Sequence, residues 1–107
     1  MTALNEQEFR MKSDEALESA RRSLLPLADT EGFEVDLQNG VLNVVFEDPL
    51  EARFVVSPNA PVRQIWVSAM ARSYKLSWMP ELDAFALDRE TLAQLLERLT
   101  RTFLEGS

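Results

Sequence analysis

Helical periodicity is confined to the two ends of this chain, and that placement limits the fold more than any other feature. Near the C-terminus Leu92, Leu95, Leu96, Leu99 and Phe103 fall at i, i+3, i+4, i+7 and i+11, an apolar stripe along one side of a helix. At the other end Asn5-x-x-Glu8 has the form of a capping box. Phe9, Ala16, Leu17, Ala20, Leu24 and Leu27 follow it near helical spacing, so a first helix is predicted from about Glu6 to Leu24. Leu25-Pro26 should stop it, because the residue before a proline is pushed out of the α region and Pro26 has no N–H to donate.

Between the two helices the pattern becomes alternating. Phe33, Val35 and Leu37 interleave with Glu34 and Asp36, a strand with one wet face, and Asn39-Gly40 closes a hairpin. Val41 to Glu47 follows, and its near-continuous apolar character marks it as a central strand. Asp48-Pro49-Leu50 turns the chain, Glu51 to Ser57 makes a third strand, and Pro58 and Pro61 bracket a stiff loop. Arg63 to Ala69, Tyr74 to Trp78 and Ala84 to Leu87 complete a predicted sheet. Asp88 is read as the N-cap of the second helix, with Arg89 and Glu90 in its first turn and Gly106 releasing its end. With no repeats, linkers or low-complexity segments, residues 1–107 are expected to form one α+β domain. Both helices must bury their stripes on one face of a single, mainly antiparallel sheet, and the other face is left open.

Composition excludes most chemistry. There is no cysteine and no histidine, which removes thiolate nucleophiles, zinc thiolate sites, imidazole general bases and Ser-His-Asp triads. Ser13, Ser57 and Ser68 have nothing to activate them, and Lys12 and Lys75 sit in polar contexts, so no enzymatic activity is expected. Any metal must be held by carboxylates, carbonyls and water, which suits hard cations. The net charge of −7 argues against nucleic acid. That charge is uneven: residues 1–51 hold twelve acids and four bases, residues 52–107 six acids and seven bases. No apolar run approaches the ~20 residues that span a bilayer, and Met1 to Glu6 has neither a basic nor a hydrophobic leader pattern, so a cytoplasmic protein away from membranes is expected.

One residue breaks the alternation. Ile65, Val67 and Ala69 share a core-facing side, which leaves Trp66 between Gln64 and Ser68 on the polar side. A large aromatic offered to solvent is a candidate contact for a partner, since Trp is the type most enriched at interface hot spots; covered by a loop or a second copy of the chain it is packing only. Among the acids, Asp14, Glu15 and Glu18 crowd about one helix turn. A solvated helix face accounts for them unless a cation intervenes.

Pro61-Val62-Arg63-Gln64-Ile65-Trp66-Val67-Ser68 resembles the central strand of the frataxins, roughly Pro-x-x-Gln-Ile/Val-Trp-Leu. Asn39-Gly40-Val41-Leu42-Asn43-Val44 resembles their Gly-Val-Leu-Thr-Ile/Val strand, and Tyr74 to Trp78 the strand after the tryptophan. The three segments come in the family's order and the resemblance runs from about Glu8 to Leu104. It implies a frataxin-like α-β sandwich that binds the cysteine desulfurase and scaffold protein of iron–sulfur cluster assembly. The surface implied is Trp66, Gln64, Arg63, Ser68 and Asn59, although Val62 departs from the asparagine of some members.

The resemblance also implies an iron-binding acidic ridge on the second half of the first helix and the adjoining edge strand. Here most ridge positions are filled by Arg21, Arg22, Leu25, Pro26, Ala28, Thr30 and Gly32. Glu34, Asp36 and Glu47 match acidic positions, and Glu18 and Glu15 lie on the helix before the arginines. The expectation is a monomeric, non-enzymatic assembly factor with weak carboxylate iron binding. An iron chaperone or storage-type protein, and a diverged interaction module that binds no iron, remain the alternatives. Glu18 should pair with Arg21 or Arg22 at i,i+3 or i,i+4 and be lost as an iron ligand.

Overall fold

The computed structural model describes residues 4–48 and 50–106, and contains among them two helices and seven strands. Pro49, placed by the sequence in the turn after the second strand, lies outside the described residues, as do Met1 to Ala3.

Helix α1 spans Glu6–Glu31. Its start is the predicted capping box: Asn5 Oδ1 accepts from the Glu8 amide at 2.8 Å and Glu8 Oε1 accepts from the Asn5 amide at 3.0 Å. Its end is a correction. The helix continues through Leu25-Pro26 and stops only at Gly32, whose φ of 81° is left-handed and whose N–H bonds the Ala28 carbonyl. A proline inside a helix costs about 3 kcal/mol. Pro26 sits on the exposed side, whereas Leu24 and Ala28 are buried and Leu27 packs against the core, and burial of a leucine contributes roughly 1.5–3 kcal/mol. The stripe therefore carries the helix past its own breaker.

Strands β1 (Glu34–Gln38) and β2 (Val41–Phe46) form the expected hairpin. Asn39 and Gly40 both have positive φ, 53° and 75°, as a type I′ turn requires. β2 alternates strictly, with Leu42, Val44 and Phe46 buried and Val41, Asn43 and Val45 partly exposed. It is not the central strand its composition predicted. Neighbours follow chain order from β1 to β7, all antiparallel, so β2 lies next to the edge.

Strand β3 (Ala52–Asn59) runs through Pro58, which the sequence placed in a loop. Pro58 is the penultimate residue, opposite Ile65, where a missing N–H interrupts only the end of the ladder. A 3-10 turn over Ala60–Val62 leads to β4 (Gln64–Ala69), the middle of the sheet. β5 (Arg72–Met79) is longer than predicted because Met70 and Ala71 make a tight turn with both φ values positive. β6 (Ala84–Leu87) has the predicted bounds.

Asp88 is not a helix cap. Asp88 and Arg89 form a third tight turn, and Glu90–Thr91 returns as β7 beside β6. Helix α2 (Leu92–Gly106) starts from Thr91: the Gln94 amide donates to Thr91 Oγ1 at 3.4 Å and the Thr91 amide to Gln94 Oε1 at 3.0 Å.

Both helices bury their stripes on the same side of the sheet. At one end of the interlayer Phe46 stacks on Phe103 at 4.5 Å between ring centroids, with Phe33 and Phe54 each 5.0 Å from Phe46. At the other end Phe85 meets Phe9 at 5.6 Å and Trp78 at 5.2 Å. Among the described residues nothing covers the opposite face, and no helix is long and apolar enough to cross a membrane.

Candidate functional site

The register of β3, β4 and β5 sets out the open face as rows. Asn59, Gln64 and Ser77 form one, Ser57, Trp66 and Lys75 the next, and Val55, Ser68 and Ser73 the third. Trp66 keeps 37% of its surface exposed, while its neighbours Ile65 and Val67 on the same strand are buried on the other side. A depression of about 540 Å³ is lined by Trp66, Val55, Ser57, Ser68, Ser73 and Lys75. The indole is held in place. Its Nε1–H donates to Gln64 Oε1 at 2.9 Å, Gln64 Nε2 donates to Ser77 Oγ at 3.3 Å, and Lys75 Nζ stands 4.8 Å from the ring centroid.

Four of the five residues predicted for this surface are therefore together: Asn59, Gln64, Trp66 and Ser68. Arg63 is not with them. Its φ of 54° turns it out of the strand alternation, and its guanidinium donates to the carbonyls of Leu4, at 3.2 Å, and of Ala60. It ties Leu4, just ahead of the Asn5 cap of α1, to the β3–β4 turn. Lys75 and Ser77 were missed by sequence reasoning. Only the β4–β5 register opposes them to Trp66 and Gln64, and the sequence carries no Asn-Gly signal for the Met70-Ala71 turn that fixes that register.

The carboxylates are dispersed. Glu34 and Asp36 point from edge strand β1 to the open face, two residues or about 6.6 Å apart along the strand. Glu47 is exposed just beyond β2, and Glu15 lies 4.0 Å from Lys12 on α1. Among the described residues no group of three or more acids converges on a point that could hold a metal ion. Glu18 is engaged as predicted. Arg21 grips it with two hydrogen bonds of 3.0 and 2.7 Å, and Arg22 adds a third at 3.0 Å. The hydrogen bonds from Arg21, helped by the charge of both arginines and opposed by partial desolvation, lower the Glu18 carboxyl from 4.5 to about 2. The donor set is thus a loose carboxylate pair on β1, Glu47 near the end of β2, and a helix acid already neutralised by guanidinium.

Two helices on one face of an antiparallel meander, with a tethered tryptophan at the middle of the bare face, define an α-β sandwich built to present its sheet. A frataxin-like domain matches residues 2–106, and the chain belongs to the frataxin-like family. It is similar to two proteins named iron-sulfur cluster assembly protein CyaY, from Pseudomonas syringae pv. syringae and pv. tomato. They are 32% and 30% identical to it, each match covering 78% of this chain and 78% of the relative. Among solved structures it matches the frataxin of Psychromonas ingrahamii with a TM-score of 0.66 and 16% identity, over 97% of this chain and 92% of the other, a likeness of fold.

Proposed function

We propose that this chain is a non-enzymatic accessory factor of iron–sulfur cluster assembly. As a cytoplasmic monomer, it docks the open sheet face around Trp66 on the cysteine desulfurase and scaffold protein. The observation that carries this is the part-exposed, tethered indole at the centre of that face, in a chain whose relatives bear the name of cluster assembly proteins. A large side chain held in one orientation loses little further freedom on binding, which favours tight contact. Iron enters as cargo, bound weakly by Glu34, Asp36 and Glu47. Carboxylates without imidazole or thiolate make competable sites, and Arg21 and Arg22 keep cations from Glu18.

Affinity capture from the source cytoplasm tests this, with wild type and Trp66→Ala as baits. Wild type is expected to retain the desulfurase or the scaffold protein, and the variant to lose it. Equal recovery on both baits, or recovery of neither component on wild type, rejects the docking role.

A further inference from the structure

The rows around Trp66 also say what kind of surface fits there. No acid lines the depression; its charged group is Lys75. Among the described residues no carboxylate pairs with that ammonium, which lies over the indole ring at 4.8 Å from its centroid. Ser57, Ser68 and Ser73 surround it with hydroxyls that have no hydrogen-bond partner among the described residues. Arg53 lies on the same face two residues before Val55. The indole N–H, in contrast, is already donated to Gln64. The site therefore offers a part-exposed apolar ring beside a cation that no carboxylate neutralises, together with hydroxyls that have no partner among the described residues, which complements an apolar side chain next to a carboxylate.

The protein's overall charge of −7 opposes such a partner only at long range. Glu34 and Asp36 stand on β1, four strands from Lys75, or about 19 Å at ~4.8 Å per strand. That is beyond the Debye length of about 8–10 Å at physiological salt, so the acidic edge hardly weakens the field at Lys75. We infer that the Trp66 face takes an acidic segment of its protein partner. An apolar side chain of that segment lies on the indole and an adjacent Asp or Glu reaches Lys75 and the serine hydroxyls, while Gln64 and Ser77 act as positioning residues that fix the ring. This rests on the docking role proposed above and specifies its chemistry.

The test is the affinity of the purified desulfurase–scaffold complex of the same organism for wild type, Lys75→Glu, Lys75→Gln, Lys75→Arg and Trp66→Ala. Amide NMR spectra verify that each retains the fold. Lys75→Glu is expected to weaken binding roughly tenfold or more, and Lys75→Gln by roughly two- to fivefold. Lys75→Arg, which keeps the charge, should stay within about twofold of wild type. Should Lys75→Glu unsettle the sheet, Lys75→Gln carries the same test. If Trp66→Ala loses binding while Lys75→Glu or Lys75→Gln binds as wild type does, or more tightly, the partner segment is not acidic and the inference is overturned with the docking role intact. If Trp66→Ala binds as wild type does, the docking role itself fails and the inference with it.

Discussion

The open face around Trp66 and the outer side of α1 around Glu18 both present functional groups to water, and they treat them in opposite ways. On the helix, Glu18 is gripped by two guanidinium groups and its carboxyl is held near 2. On the sheet, Trp66 is tethered at one nitrogen, carries the Lys75 ammonium over its ring and keeps 37% of its surface exposed. Satisfying a carboxylate with cations removes it as a ligand. Fixing an aromatic by its edge leaves part of its apolar surface in contact with water. The difference is between a carboxylate whose charge is already matched by its own helix and an aromatic side chain that remains partly open to solvent.

The sharpest way to break the contrast lies within one strand. Ile65→Ala should cost about 2–5 kcal/mol of stability in urea unfolding, since Ile65 is fully buried. Trp66→Ala should cost under about 1 kcal/mol of stability. The same variant should lose about 2 kcal/mol or more of partner affinity, roughly 30-fold in Kd. A collapse of the melting temperature on removing Trp66 would place it with the core.

A charge reversal sharpens the helix side. Arg21→Glu/Arg22→Glu frees Glu18 and adds two acids beside it, and a unit charge at 4 Å is worth about 4 kcal/mol to a cation at an effective dielectric near 20, before screening and desolvation. Calorimetry with Co²⁺ at low salt should show on the order of tenfold tighter binding than wild type, at a cost of a few tenths of a kcal/mol in helix stability. Wild type binding as well at the helix as the variant does would show that the arginines exclude nothing.

In wild type, Co²⁺ titration followed by NMR should shift Glu34, Asp36 and Glu47 more than Glu15 and Glu18, with loose, competable affinity. Shifts confined to the helix would reverse this order.

The smallest effect concerns acid. Glu18 has its folded pKa lowered from 4.5 to about 2, and Glu90 is lowered by two hydrogen bonds from Arg98, 2.7 and 2.9 Å long. Between these limits the unfolded chain takes up the proton first, so the stabilisation is complete above about pH 4.5 and drains away as pH falls towards 2. Glu18→Gln should flatten that part of the stability curve, and Trp66→Ala should leave its slope unchanged.

Trp66 and the Glu18 clasp show how much of this was legible in advance. Period-two alternation alone put Trp66 on the open face, and the Glu18–Arg21–Arg22 clasp followed from helical spacing. The Asn39-Gly40 hairpin and the stripe from Leu92 to Phe103 were equally plain, because local patterning and burial agree there. Pro26 and Asp88 misled for one reason: a local signal was outvoted. Burial around Leu24 and Ala28 holds the helix through its proline, and pairing of Ala86 with Thr91 and Leu87 with Glu90 turns a would-be cap into a hairpin.

By itself the sequence determined the α+β class, the single-sided packing of both helices, the open face and the residue at its centre, since each depends on a periodicity that a chain carries along its length. Only the tertiary structure decided that Gln64 and Ser77 tether the indole, that Lys75 stands over it and that Arg63 turns away to the start of α1. Those contacts join residues brought together by strand register and by a left-handed turn residue, and register is settled by the whole sheet closing over its core.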